Sequence, residues 1–131
     1  MKRLFTIIFL FSAVTVLNLA PLQADAQHQH QQEVAKVRFN EMYKLKGALL
    51  FGDYLVVHDD AKKAAGEECV LFYRVNADNT QELIVSYRCQ AAPRDKAKTF
   101  MIVATPRRTP YDVPEIQEIQ FAGSTNAHRV S

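Results

Sequence analysis

The segment from Cys69 to Cys89, CVLFYRVNADNTQELIVSYRC, constrains the fold more than any other part of the chain. In its first half Cys69, Leu71, Tyr73 and Val75 alternate with Val70, Phe72 and Arg74. In its second half Leu83, Val85, Tyr87 and Cys89 alternate with Ile84, Ser86 and Arg88. A period of two marks a strand, because successive side chains leave an extended backbone on opposite faces. Between the halves, Asn76 to Glu82 carries Asn and Asp, which tolerate left-handed backbone and bond their own main chain. The segment predicts a β-hairpin with its turn centred on Asn79. In that register Val75 faces Leu83, Tyr73 faces Val85, Leu71 faces Tyr87 and Cys69 faces Cys89, which gathers the apolar pairs on one face and aligns the thiols. Directly opposed, non-hydrogen-bonded residues have Cα atoms roughly 4.5 Å apart, within the range a disulfide accepts. Cys69–Cys89 is the expected bridge.

A compartment that permits such a bridge is indicated by the first residues. Lys2-Arg3, the apolar run Leu4 to Leu17 and the A-x-A site Ala24-Asp25-Ala26 have the layout of a secretory signal peptide. The run is shorter than the ~20 apolar residues a spanning helix needs, so no membrane span is expected after cleavage. The expected organisation is a signal peptide at 1–26, a disordered polar linker at 27–33, and a single domain at 34–131. The location is periplasmic or secreted, where disulfides persist. Loss of Lys2, Arg3 and Asp25 leaves 14 basic against 13 acidic side chains, and with no long basic run nothing points to nucleic acid as a partner.

The linker QHQHQQ has no apolar residue to bury. After it, Val34 to Leu45 is ambiguous: Val37 and Phe39 suit a strand that ends irregularly, while Ala35, Phe39 and Met42 suit a short helix, and the strand is the favoured reading. Gly52-Asp53 is a plausible tight turn leading into Tyr54-Leu55-Val56-Val57-His58, whose two apolar faces suit a central strand next to the Cys69 strand. Asp59 to Glu68 can hold one helical turn, capped by Asp59 or Asp60 and ended at Gly66, or be simply the exposed, solvated connection between two strands. After Cys89, AAPRDKAK reads as a loop, Thr99 to Thr105 as a strand, and Glu115 to Phe121 as a last strand in which Ile116 breaks the alternation and marks a bulge. The fold class is all-β, a small antiparallel sandwich or barrel of about five to seven strands.

The combination Val57-His58-Asp59-Asp60, Gly66-Glu67-Glu68-Cys69, the hairpin with its second cysteine, Phe121-Ala122-Gly123, and Ala127-His128-Arg129-Val130 resembles a group of small secreted bacterial proteins of uncharacterised function. The resemblance covers about 46 to 130. It implies a common exported β-rich fold and supplies no activity, substrate or cofactor. In that group a histidine often precedes the second cysteine, a position held here by Arg88.

Few residues are candidates for chemistry. A structural disulfide is the first reading of Cys69 and Cys89. The alternative is a tetrahedral zinc or copper site made of His58, Cys69, Cys89 and His128, which are the right ligand types. The cysteines lack C-x-x-C spacing, and His128, near the C-terminus, reads as solvated. Asp59 or Asp60 with His58 is a remote acid–base option, and no G-x-S-x-G elbow or phosphate-binding glycine loop is present. The expectation is a non-enzymatic exported domain without a cofactor, binding an unknown protein or envelope component, with a metal-binding or redox protein as the alternative.

Overall fold

The computed structural model describes residues 32–131, so the expected signal peptide and residues 27–31 of the expected linker lie outside the described residues. Eight strands and one short helix follow in order: β1 (Gln32–Leu45), β2 (Ala48–Asp59), α1 (Asp60–Ala64), β3 (Val70–Val75), β4 (Gln81–Tyr87), β5 (Cys89–Pro93), β6 (Met101–Ala104), β7 (Ile116–Gln120) and β8 (Asn126–Val130). They form two four-stranded antiparallel sheets, ordered β1-β2-β3-β4 and β5-β8-β7-β6. The all-β sandwich agrees with the sequence, with eight strands in place of five to seven.

The longest hairpin, β1–β2, turns where the sequence reading did not place a turn. Leu45 pairs with Ala48, and the two residues between them, Lys46 and Gly47, have φ of 45° and 84°. Positive φ at both central positions is the geometry that matches the right-handed twist of the flanking strands, and Gly47 adopts it without steric cost. Gly52-Asp53 is therefore not a turn. Both residues lie within β2, where Gly52 pairs with Phe39 beside an irregularity that sets Asn40, Glu41 and Met42 against Phe51 alone. From Phe39 back to Gln32 the register is regular. It sets Val37 against Tyr54, Ala35 against Val56 and Glu33 against His58. Strand β1 thus begins two residues inside the expected linker.

The Cys69–Cys89 segment forms its hairpin, but in a different register. Asn79 adopts a left-handed φ of 63°, a conformation the Asn and Asp of this turn tolerate, yet the turn closes with the Asn76 N–H donating to the Thr80 carbonyl at 2.9 Å. Val75 consequently meets Gln81, and a bulge at Ile84 brings Phe72 opposite Val85 and Val70 opposite Tyr87. After Tyr87 the chain leaves this sheet. Cys89 opens β5 in the other sheet, paired with Val130 of β8. Cys69 and Cys89 are bonded with Cα atoms 6.3 Å apart, so the disulfide joins the two sheets instead of crossing one hairpin.

Two other expectations change. Cys89–Pro93 is an edge strand, where Pro93 at the end has no ladder bond to lose. The residues after Phe121 return as β8 in the middle of the second sheet. The bulge near Ile116 is present: Gln117 is the extra residue between the pairs Val103–Glu118 and Ala104–Ile116. Between the sheets lie Phe39, Leu45, Leu50, Tyr54, Val56, Val70, Phe72, Tyr87, Ile116, Ile119 and Phe121, whose removal from water favours the packed layers. No helix among the described residues is long and apolar enough to cross a membrane.

Candidate metal centre

Three strands from two sheets place three chemically active side chains at one end of the sandwich. Val56 and Tyr54 point inward from β2, so the period of two sends His58 inward as well. Its partner across the ladder, Glu33, shares that face. On the opposite sheet, His128 of β8 is held between Ala91 of β5 and Ile119 of β7. The Tyr87 hydroxyl donates to the His128 carbonyl at 3.3 Å. Burial, with Glu118 nearby, keeps that phenol protonated by raising its pKa well above the ordinary value.

The two imidazoles face each other across the interior with ring centroids 3.9 Å apart and planes inclined by 32°. Phe121 packs edge-on against His128 and lies beside His58. Residue exposures of 2% for His58 and 3% for His128 leave almost no ring surface in water. A single carboxylate oxygen, Glu33 Oε2, lies 3.0 Å from His128 Nε2 and 3.1 Å from His58 Nδ1. The first contact is an aligned hydrogen bond. The second is close but misaligned, and His58 Nε2 is 3.7 Å from Asp60 Oδ1, too far to bond. Both His58 nitrogens and His128 Nδ1 are therefore buried without a hydrogen-bond partner among the described residues. Orphaned buried nitrogens are costly, and imidazole is the commonest metal ligand.

Asp60 reaches this end of the molecule because α1 starts there. Asp59 caps the helix, accepting from the Ala61 and Lys62 N–H groups at 2.9 and 3.2 Å. The Lys62 amide bond, first among several, lowers the pKa of the Asp59 carboxyl. The expected helical turn and its cap are present, and Gly66 follows with φ 73°. Asp60, Lys63, Ser124 and Asn126 complete a cavity of about 170 Å³ with Glu33, His58 and His128. Burial and the neighbouring His58 hold the His128 pKa below its ordinary value, against the opposing pull of Glu33.

The four residues named from the sequence all come to this region, but they do not form one tetrahedral set. His58, Cys69 and Cys89 have ligand atoms within 4.8 Å of one another, and Glu33, His58 and His128 form a second such group. His58 belongs to both. His128 is buried, not solvated, because β8 is an inner strand. Glu33 was hidden in the polar run that opens β1. The signal for it was the alternation Glu33, Ala35, Val37, Phe39, once the turn is set at Gly47. No protein-family model, no curated protein and no solved structure matches this chain.

Proposed function

We propose that this domain binds a divalent transition-metal ion, zinc or a close neighbour, through Glu33 Oε2, His58 and His128, with Asp60 able to supply a further oxygen. The observation that carries the reading is His58: an imidazole 2% exposed, both nitrogens without a hydrogen-bond partner among the described residues, facing a carboxylate and a second histidine. Two imidazoles and one carboxylate are a donor set suited to zinc. In a tetrahedral zinc site with bonds of about 2.0–2.1 Å, neighbouring ligand atoms lie roughly 3.3 Å apart. The separations of 3.0 and 3.1 Å at Glu33 need only small adjustment.

The role is binding rather than catalysis, in an exported domain closed by its disulfide. The expected envelope partner would meet a metal-bearing end of the sandwich. Equilibrium dialysis against zinc, followed by metal analysis, tests the reading. One equivalent is expected in the natural chain, with loss in His58→Ala and His128→Ala and weakened retention in Glu33→Gln, all three folded by circular dichroism. Sub-stoichiometric zinc in the natural chain, or full zinc in folded His58→Ala, would sink it.

A further inference from the structure

The disulfide lies against the same histidine. Cys69 directly precedes β3 and is 1% exposed, whereas Cys89 at the start of β5 is partly exposed. The Cys89 N–H points at Cys69 Sγ from 3.3 Å. Both sulfurs and a ring nitrogen of His58 lie within 4.8 Å of one another. While the sulfurs are bonded to each other they are poor ligands. As thiolates they are strong ones.

We propose that reduction of Cys69–Cys89 turns this end of the sandwich into a thiolate metal site, with Cys69 and Cys89 joining His58 as ligands, so that metal choice depends on the redox state of the chain. The inference rests on the metal-binding reading in that both use His58. The co-reactant is a dithiol reductant. One of its thiolates attacks the sulfur of Cys89, the less buried of the two residues, the S–S bond breaks, and the bonding pair leaves with Cys69 as thiolate. The reductant's second thiolate then attacks its own sulfur in the mixed disulfide and releases Cys89 as thiolate. The reductant leaves as a cyclic disulfide, having supplied two electrons, and its two protons pass to the cysteines or to water. On metal binding the cysteines lose those protons to solvent.

Geometry favours the exchange. Zinc–sulfur bonds of about 2.3 Å put two thiolates roughly 3.8 Å apart in a tetrahedron, a separation that Cα atoms at 6.3 Å accommodate. The donor set would change from two imidazoles and a carboxylate to one imidazole and two thiolates, a change toward softer ions such as Cu(I) and toward zinc over manganese or iron.

Cobalt(II) added to the full chain separates the two states, because only a thiolate ligand gives sulfur-to-cobalt charge transfer in the near ultraviolet. Oxidised protein is expected to bind cobalt without that band, and protein reduced with a phosphine, then freed of it, to bind with the band. The band should survive Glu33→Gln, and disappear in His58→Ala and in Cys89→Ser. Cobalt bound in both redox states with no band in the reduced one overturns the inference and leaves the Glu33–His58–His128 reading intact. No binding in the oxidised state with a band in the reduced state has the opposite meaning. If reduction unfolds the metal-free chain, recovery of the far-ultraviolet signal together with the band on adding cobalt supports the inference, and a chain still unfolded with cobalt present overturns it.

Discussion

Opening the Cys69–Cys89 bond should cost the domain about 3 kcal/mol, and the figure can be worked from the chain. The bond closes a loop across a sequence separation of 20. Releasing that closure restores conformational freedom to the unfolded chain, which a chain-entropy estimate puts at roughly 3 kcal/mol at 25 °C. For a domain of about 100 residues each kcal/mol moves Tm by roughly 4–8 °C, so a fall of roughly 12–25 °C follows. Urea unfolding of oxidised and reduced protein, both in chelator, is the assay. Reduction leaves every side chain except the two thiols unchanged, so the comparison isolates the cross-link. A Cys69→Ala/Cys89→Ala chain should lose slightly more, because Cys69 is buried among core side chains and its sulfur leaves a void. The reduced unfolded state should also expose more surface and raise the urea slope. Unfolding free energies within about 0.5 kcal/mol of each other in the two redox states would refute the reasoning, since loop closure would then contribute far less than the chain-entropy account requires.

The other predictions concern the site and its supports. Because His128 has a depressed pKa in the folded chain, the metal-free native state binds fewer protons than the unfolded state below about pH 6.5. Stability is full above that value and falls as pH drops through it. Melting curves in chelator from pH 7.5 downward should show this slope, and His128→Asn should flatten it; an unchanged slope would assign it elsewhere. Asp59→Ala should remove both cap bonds of α1 and cost about 1 kcal/mol in urea unfolding, whereas Asp59→Ser should recover most of it. Glu118, 9% exposed at its side chain, accepts two bonds from Arg94 and one from Arg129. Glu118→Gln should weaken this charge-assisted set and lower stability by roughly 1–3 kcal/mol, with the loss insensitive to moderate salt; a salt-dependent loss would mean the contacts are solvated.

What could be read from the sequence followed from periodicity and local chemistry. The alternation in Cys69–Cys89 identified two strands, the Asn and Asp of the turn were recognised as tolerant of the left-handed backbone that Asn79 adopts, and Asp59 or Asp60 offered the helix cap that Asp59 supplies. Tyr54 to His58 was recognisable as a central strand because both faces are apolar. Register was harder, because it depends on where a turn closes and where a bulge inserts, and one residue decides either. The turn at Asn76–Thr80 and the bulge at Ile84 displaced every predicted pair, although the disulfide itself formed. Lys46-Gly47 and Gly52-Asp53 are both plausible turns locally, and only the length of the completed hairpin chooses between them. The site was half visible. His58 and the cysteines lie within one continuous stretch, whereas Glu33 looked like linker and His128 like tail, because the sequence does not reveal that β8 inserts between β5 and β7.

That insertion sets an order of events. Glu33 and His128 are 95 residues apart in the chain, and His128 lies on β8, the eighth of the described strands. Strands β5 and β7 pair with β8 and not with each other, so the second sheet has no centre until Asn126–Val130 arrives. Contacts of such long sequence separation are slow to form. During folding, the first sheet can assemble while its inner face, with His58 and Cys69, stays open to water. A thiol oxidant or a metal ion added to the refolding chain would therefore have access to these residues until β8 takes its place between β5 and β7 and covers them.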